Sequence, residues 1–417
     1  MASLSSTSMQ ALRLPCRLTP SFEPRSRLYS TAPAGSASLK VATVPDRGVI
    51  EVKGRDTVKL IQGLVSNDVR KLERGDVDLM LACFANAQGR MLADVLIHRL
   101  PPAEDGTPRW LFDTDARTMP SLLSFIKKFK LRSKVTLKDV SDQWSVVQLW
   151  SGAGSATPPA ELLGSSEDRV VSLDPRAPDM GYRAVVRNGQ DRLSALSGAA
   201  AEVDGSEYTV HRIVQGVAEG AIDFPEASSV PLENNIDYMN GVDFRKGCYV
   251  GQELTARTHH TGVVRKRIVP ISFYLPGTPA PTSLAVDPSF TTKLPPALAE
   301  VRSKPITPPP PPSQANGQGG TDGGDAAAPK KPTRGRSAGK FTTGIYNLGL
   351  GCLRLEQVAR WQDPTTAQRD GLGDDAVHFT CENEEGQTIL VKPWIPHWWP
   401  EAPRRASEGQ ERTSREG

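Results

Sequence analysis

Lys246-Gly247-Cys248-Tyr249-Val250-Gly251-Gln252-Glu253 is the stretch of this 417-residue chain in which chemically capable side chains stand closest together. One thiol stands between two glycines, and glycine allows backbone angles closed to other residues and the close approach of another backbone. Arg245 and Lys246 precede the thiol, and Glu253 to Arg257 is typical of a short helix. Two cations and a helix N-terminus favour a thiolate, so the pattern predicts a reactive Cys248. The alternative is a buried cysteine that packs as a small hydrophobic side chain.

The longer run from Met239 to Gly262, MNGVDFRKGCYVGQELTARTHHTG, resembles the signature of the YgfZ family. More narrowly, it is similar to the mitochondrial iron–sulfur cluster assembly factors of that family, which are relatives of the glycine-cleavage T-protein, an aminomethyltransferase. Weaker similarity extends from about Val49 to Trp394, apart from one insertion. The resemblance implies an aminomethyltransferase-like α+β folate-binding region around a central opening, followed by a small C-terminal β-barrel.

The net charge of the chain arises from its N-terminal segment. The formal net charge is +3, and residues 1–29 account for all of it, because four arginines there face Glu23 alone. This Arg-rich, Ser-rich and acid-poor segment is typical of a mitochondrial transit peptide, cleaved after Tyr29. A disordered start is the alternative. The rest of the chain is formally neutral, so we expect no nucleic-acid partner, and no apolar stretch reaches the length of a transmembrane segment.

Cysteine usage points to a reducing compartment. The five cysteines stand at positions 16, 83, 248, 352 and 381, with no C-x-x-C spacing. This scatter argues against a structural zinc site and against a disulfide framework.

The residues before position 263 mix strands and helices without a βαβ alternation. Asp78 to Phe84 and Met91 to Leu100 are apolar runs around a turn at Asn86 to Gly89, which predicts a hairpin. Apolar positions at helical spacing from Met119 to Phe129 predict an amphipathic helix. We therefore expect an α+β fold with largely antiparallel sheets.

From Val263 onward, apolar strands separated by turns predict a barrel or sandwich. Residues 304–340 interrupt it with a proline run from Pro308 to Pro312 and then Gly, Ala and Lys. That composition predicts a disordered insertion, with an interdomain linker as the alternative. The expected organisation is a transit peptide 1–29, a folate-binding-type region 30–262, a barrel 263–402 with the insertion 304–340, and a disordered tail 403–417.

The resemblance to the T-protein also marks candidate folate-site residues. Asn86 to Asp94 matches a T-protein turn in which an aspartate assists folate chemistry; Asp94 is present, but Ala93 replaces a neighbouring aspartate. Arg212 to Gly216 matches the motif whose glutamate grips the pterin, and here Val214 replaces it. The lost acids disfavour aminomethyl transfer of the T-protein type, since a pterin donor left unpaired costs about 1–3 kcal/mol.

Other candidates for binding folate flank these motifs. Arg183 is a candidate partner of a folate carboxylate, with a surface ion pair as the alternative. Lys246, Gln252 and Glu253 are further folate-binding candidates. A basic cluster suits a polyglutamate tail or an acidic partner, or is a solvated strand edge: Arg257, Arg265, Lys266 and Arg267. His259-His260 lacks the spacing of a helical metal pair, which disfavours a ligand role.

Two functions fit the resemblance. The first is an assembly factor of the mitochondrial matrix that matures [4Fe–4S] proteins, both aconitase-type and radical-SAM clients, together with A-type scaffold proteins. Clusters normally take four protein thiolates, so Cys248 would be a transient cluster ligand or redox thiol shared with a partner. The second is a tetrahydrofolate-dependent one-carbon transferase using Asp94. The cysteine and the lost acids favour the first, and the sequence leaves open whether any reaction is catalysed.

Overall fold

The computed structural model describes residues 39–151, 158–189, 200–305, 335–362 and 377–400. The presequence 1–29 with its Cys16 and the tail 403–417 lie outside the described residues, so both stay predictions. Among the described residues, no helix is long and apolar enough to cross a membrane.

The first sheet has five strands in the spatial order β3-β4-β5-β2-β6, and every pairing in it is antiparallel. Its strands are β2 (Arg47–Lys53), β3 (Leu79–Ala85), β4 (Met91–Arg99), β5 (Arg109–Asp115) and β6 (Thr136–Asp139). The predicted hairpin is confirmed: the Asn86 side chain closes the turn by accepting from the backbone N–H groups of Gln88 and Arg90, each at 3.0 Å. Every residue of β3 is buried, because both faces of this strand are covered.

The second sheet has six strands in the order β11-β1-β7-β10-β9-β8. Its strands are β1 (Leu39–Thr43), β7 (Trp144–Ser151), β8 (Gly164–Ser165), β9 (Arg169–Leu173), β10 (Tyr182–Arg187) and β11 (Ala201–Glu202). Only β1 and β11 pair in parallel among the described strands of this sheet. The largely antiparallel α+β prediction is therefore confirmed.

The helices cover the sheets and connect them. They are α1 (Thr57–Gln62), α2 (Arg70–Arg74), α3 (Met119–Lys130), α4 (Gly205–Val214), α5 (Gly220–Asp223), α6 (Gln252–Thr261) and α7 (Leu355–Gln362). The amphipathic helix α3 buries Met119, Leu122 and Ile126 at helical spacing against the first sheet. Helix α4 begins at a capping residue, Asp204, whose carboxylate accepts from the Ser206 N–H at 2.8 Å.

The C-terminal region is a closed barrel with the strand order β12-β15-β14-β13-β16-β17. Its strands are β12 (Lys266–Tyr274), β13 (Glu300–Pro305), β14 (Arg336–Ile345), β15 (Leu348–Arg354), β16 (Val377–Glu382) and β17 (Thr388–Pro393). The predicted insertion 304–340 is too wide, since both of its ends belong to paired barrel strands. Residues 306–334 lie outside the described residues.

The barrel packs directly on the helices that follow the second sheet. Trp398 donates from its indole N–H to the Gln215 carbonyl at 2.8 Å, and Thr342 donates to Asp223 at the same distance. Trp394 and Trp398 also pack against the largest apolar core. These contacts hold α4 and α5 between the sheets and the barrel.

Candidate functional site

The signature loop, residues 240–251, is held against the β3–β4 hairpin by two glycines. Gly251 precedes α6 with φ = 80°, and a Cβ there would lie 2.3 Å from the Asn86 carbonyl oxygen. A Cβ at Gly89, where φ = 77°, would lie 2.6 Å from the Cβ of Leu254. Both positions therefore require glycine, for the backbone angle and for the close approach. Gly251 of the signature loop and Gly89 of the hairpin therefore allow the two segments to pack closely.

Cys248 lies on the exposed part of this loop. Its side chain is exposed, and a Cβ built on the neighbouring Gly247 would meet nothing within 4 Å. The alternative of a buried packing cysteine is therefore wrong for this position. Helix α6 begins at Gln252, close to the predicted start, with three residues between it and the thiol.

The other described cysteines differ from Cys248 in burial. Cys83 and Cys381 are buried and Cys352 is half-buried. Burial raises the pKa of Cys83 and of Cys352 to about 12, and that of Cys381 to about 11. These three thiols stay protonated at neutral pH. Among the described cysteines, Cys248 is the exposed one.

Lys246 anchors the signature loop. Its ammonium group donates to the carbonyl oxygens of Gln62 (2.7 Å) and Val65, and it lies 4.8 Å from the centre of the Tyr249 ring. Burial lowers the pKa of Lys246 to about 8. The backbone N–H of Val250 adds a bond to the Gly63 carbonyl at 3.1 Å. This cation therefore serves the loop's attachment to the segment after α1.

Gln252 and Glu253 take different positions at the start of α6. The Gln252 side chain accepts from the backbone N–H of Tyr249 at 3.2 Å and so closes the turn after the thiol. Glu253 is exposed in the first turn, where a carboxylate is favourable beside the helix N-terminus. Both residues lie beside Cys248 in the chain, and their predicted role in folate binding stays a prediction.

His259 packs back onto the signature loop. Its ring stacks on Phe244 with centroids 3.6 Å apart and an angle of 13° between the planes. No group of three or more metal-ligating side chains occurs within the described ranges, so no partners for a histidine metal site are found there.

The basic cluster predicted after the signature is divided by the structure. Arg267 is buried and pairs with Asp237 at 2.9 Å, while its guanidinium lies 3.6 Å from the centre of the Tyr238 ring. Arg265 is exposed and Lys266 is half-exposed. The four cations therefore do not form one solvated surface, because Arg267 belongs to the interior.

A second group of charged side chains is buried in the interior and centres on Asp113. Arg183 donates from Nε to Asp113 Oδ2 at 2.7 Å, and Arg47 donates from Nε to Asp113 Oδ1 at 2.6 Å. Burial alone would raise the pKa of Asp113, but the two guanidinium groups hold it well below its usual value. The surface ion pair considered for Arg183 is wrong, because this side chain is fully buried.

Asp94 belongs to the same buried charge cluster. Its carboxylate accepts from Arg47 at 3.3 Å and from the backbone N–H of Gly220 at 3.2 Å. Burial raises the pKa of Asp94, and the charge of Arg47 offsets only part of this effect. The structure thus brings Asp94 and Arg183 together through Arg47 and Asp113, and it places Lys246, Gln252 and Glu253 with Cys248.

Sequence reasoning missed most of this cluster. Arg176 pairs with Asp174 at 2.6 Å and contacts Glu219, which also accepts from the Tyr208 hydroxyl at 2.8 Å. Glu219 and Arg183 lie 3.3 Å apart, which joins the two halves. One signal was available: Asp113, Thr114 and Asp115 directly follow the apolar run Trp110-Leu111-Phe112 in β5. Val214, the last residue of α4, packs against the apolar core.

The signature loop and the buried charge cluster are connected through β3 and β4. Cys83 on β3 lies opposite Asp94 on β4. The Ser66 hydroxyl donates to the Gly241 carbonyl at the start of the signature loop at 2.5 Å, and it accepts from the backbone N–H of Cys83 at 2.9 Å. The loop that carries the exposed thiol is thus bonded to the buried strand β3.

Comparisons with known proteins agree with this architecture. The model of the CAF17 C-terminal beta-barrel domain matches residues 265–401. A mitochondrial iron–sulfur cluster assembly factor IBA57 homolog from Mycosarcoma maydis is 54% identical over 393 residues, covering 91% of each chain. The homolog of the same name from Aspergillus fumigatus is 35% identical and covers 90% of this chain and 87% of the relative.

Among solved structures, the glycine cleavage system aminomethyltransferase T from Bartonella henselae superposes with a TM-score of 0.56 at 13% identity, covering 87% of this chain and 86% of that chain. At this identity the similarity concerns the fold. The predicted aminomethyltransferase-like fold with a C-terminal barrel is confirmed.

Proposed function

This chain belongs to the family of mitochondrial IBA57 iron–sulfur cluster assembly factors, and from that premise we propose that it supports the maturation of [4Fe–4S] proteins by presenting Cys248 to a cluster. The observation that carries the proposal is the exposed thiol on a loop fastened at Gly251 and Lys246. Thiolates are the usual protein ligands of such clusters. The anchored loop keeps this soft ligand in solvent, where a partner can reach it.

A single thiolate cannot hold a cluster, because clusters normally take four. The other described cysteines are buried or half-buried and lie on β3, β15 and β16 rather than beside Cys248. The remaining ligands would therefore come from a partner, and an A-type scaffold protein of the matrix is the partner we propose. The cluster is cargo in this account, and Cys248 is a transient ligand during its transfer to aconitase-type and radical-SAM clients.

Folate is not assigned a step in this function. A folate held at the T-protein position would need free groups near Asp94 and an acid at Val214. Asp94 is paired with Arg47, and Arg183 is paired with Asp113 and Glu219, all of them buried. A folate carboxylate would have to break buried ion pairs, and breaking such a pair costs about 3–5 kcal/mol. The pairing disfavours the one-carbon transferase alternative.

Rescue of depleted cells tests the proposal. Mitochondria that lack the protein receive the wild type, Cys248→Ser, or the matched control Cys352→Ser in the barrel. Aconitase activity per unit of aconitase protein is measured at equal abundance of each variant. We expect rescue by the wild type and by Cys352→Ser, and none by Cys248→Ser.

A second measurement examines the ligand directly. The purified chain is mixed with a cluster-loaded A-type scaffold protein, and the visible absorption and circular dichroism of the cluster are recorded. A spectral change that requires Cys248 supports the shared cluster. Full rescue by Cys248→Ser together with an unchanged spectrum would show that the thiol has no part in cluster transfer.

A further inference from the structure

A wide cleft of about 1220 Å³ opens at one end of the first sheet. Its floor is the end of β2 with Gly54, one wall is the turn at Asp105 to Thr107, and the other wall is the segment that joins α3 to β6. A Cβ at Gly54, where φ = 142°, would lie 2.1 Å from the Lys134 carbonyl oxygen, so glycine is required where the second wall meets the floor.

The cleft carries an excess of positive charge. Its cations are Lys53, Arg55, Lys130, Arg132 and Lys134. Across the described ranges, none of the five forms an ion pair. The two carboxylates of the lining are already engaged: Glu51 lies 3.6 Å from Arg109, and Asp105 accepts from the N–H and the hydroxyl of Thr107 at 3.0 and 2.8 Å. Lys53 also interacts electrostatically with Asp105 and Glu167. With five cations and two carboxylates in its lining, the cleft keeps an excess of positive charge.

Helix stabilisation does not explain these charges. Lysines in the last turn of a helix interact favourably with its C-terminal carbonyls, and this accounts for Lys130 on α3. The other four cations lie on β2, on the segment after it and on the segment that joins α3 to β6. Charges from separate elements converge on one concavity, which is typical of a surface that binds an anionic partner.

Leu131, in the cleft lining, has two unfavourable features at once. Its side chain is 87% exposed, and its backbone has φ = 44° and ψ = −112°, a conformation that favours glycine. An exposed leucine in a strained conformation gains nothing from packing in the free protein. An outlier of this kind at a cleft is a reason to look for a contact that the leucine makes when a partner is bound.

We propose that this cleft binds an acidic, extended segment of a partner protein, with Leu131 as the apolar contact. The concave shape favours a segment over a membrane, because a flat bilayer could not reach the half-exposed Lys53 on the floor. The lining has no aromatic side chain on which nucleic-acid bases could stack. A leucine amid cations suits a protein segment that alternates acidic and apolar residues.

The cleft lies near the signature loop. Arg55 lines the cleft just before α1, and the carbonyl of Gln62 at the end of α1 holds Lys246. Helix α1 has six residues and spans about 9 Å at about 1.5 Å per residue. The cleft and the Lys246 anchor of the signature loop therefore lie at opposite ends of this short helix. The binding itself does not require Cys248, so the inference stands apart from the proposed function.

The test is fluorescence anisotropy with the purified full-length chain and a labelled peptide that alternates glutamate with leucine and threonine. A peptide with glutamine in place of glutamate is the charge control. Arg132→Gln/Lys134→Gln removes two cleft cations, and Arg336→Gln/Lys340→Gln removes an exposed arginine and lysine from the barrel as the matched pair. Leu131→Gly removes the apolar contact and places at this position the residue that suits its backbone conformation.

We expect the acidic peptide to bind in a salt-sensitive manner. Arg132→Gln/Lys134→Gln should weaken binding by about tenfold, as loss of charged partners does at interfaces, and the barrel pair should not. Leu131→Gly should weaken binding while the thermal midpoint of the variant stays equal or rises. Cys248→Ser should bind like the wild type.

Three results would overturn the inference. One is no binding beyond that of the glutamine peptide. Another is an equal loss in the cleft and barrel variants. The third is binding to phosphatidylglycerol vesicles or to an oligonucleotide but not to the acidic peptide, which would reassign the cleft to that partner.

Discussion

The ammonium group of Lys246 lies 2.7 Å from the carbonyl oxygen of Gln62, and this bond ties the signature loop to the end of α1. Because the cation serves two backbone carbonyls in a half-buried position, its role here is attachment of the loop. The thiol two residues later stays in solvent. The residue that anchors the loop, Lys246, and the residue that carries the exposed thiol, Cys248, are thus separate members of one short motif.

Lys246 should make stability depend on pH. Burial lowers the pKa of Lys246 to about 8 from its ordinary value of 10.5, so the unfolded chain binds more protons between these values. The free-energy cost of burying the charged ammonium group is fully present below the pKa of the folded state, about 8. It is relieved as the pH rises from there to about 10.5. Between pH 8 and 10.5, we expect the free energy of unfolding of the wild type, measured by urea denaturation, to rise relative to that of Lys246→Met. Lys128→Met, at an exposed lysine of α3, is the matched control. If the difference between wild type and Lys246→Met changed with pH only as much as the difference between wild type and Lys128→Met, burial of the Lys246 amine would be contradicted.

Removal of Arg183 should destabilise the fold strongly. Arg183→Met leaves the buried carboxylates of Asp113 and Glu219 with fewer partners, and breaking a buried pair costs about 3–5 kcal/mol. The exposed pair of Arg74 with Asp76 provides the control, since Arg74→Met should cost about 0–1 kcal/mol. Denaturant titration compares the two variants. Equal losses would show that the cluster contributes no more than a surface pair.

Cys248 should react first with alkylating reagents. Its side chain is exposed, whereas burial raises the pKa of Cys83, Cys352 and Cys381 to about 11 or 12. Iodoacetamide labelling near neutral pH, with the modified peptides quantified by mass spectrometry, gives a rate for each thiol. Labelling of Cys83 or Cys381 as fast as that of Cys248 in the folded protein would mean that the sheet or the barrel opens readily.

Tetrahydrofolate should bind weakly or not at all. Val214 packs in the apolar core where the T-protein has an acid, and the neighbouring Asp94 and Arg183 are engaged in buried pairs. Calorimetric titration of the purified chain measures the affinity, with a T-protein as the positive control. Micromolar or tighter binding would show that another residue has taken the role of the lost glutamate.

Replacement of residues 306–334 by a short Gly/Ser loop should leave the barrel intact. These residues connect the end of β13 to the segment before β14, and their composition does not support a packed core. The thermal midpoint should fall by less than about 5 °C. Replacement of 304–340 is the matched comparison, and it should lower the midpoint further because it removes paired residues of both strands. A large loss with the shorter replacement would show that the insertion packs.

The sequence by itself determined what depends on neighbouring residues. The hairpin around Asn86 to Gly89, the apolar face of α3 and the special backbone angle at Gly251 are all local patterns, and each lies where it was predicted. Gly247 is the exception, since a Cβ built there would meet nothing within 4 Å. Backbone angles, side-chain periodicity and turn chemistry act over a few residues, so they can be read from one segment at a time. The resemblance of the signature added the fold and the family.

Only the tertiary structure decided which charges are buried together. Arg47, Asp113 and Arg183 come from three strands of two sheets, and Glu219 lies in the segment between α4 and α5. No local pattern relates residues that far apart, and a lone arginine reads equally well as a surface side chain. The same holds for the cleft, whose cations come from separate elements. Burial and charge pairing are properties of the packed chain, because they depend on which distant segments exclude water from each other.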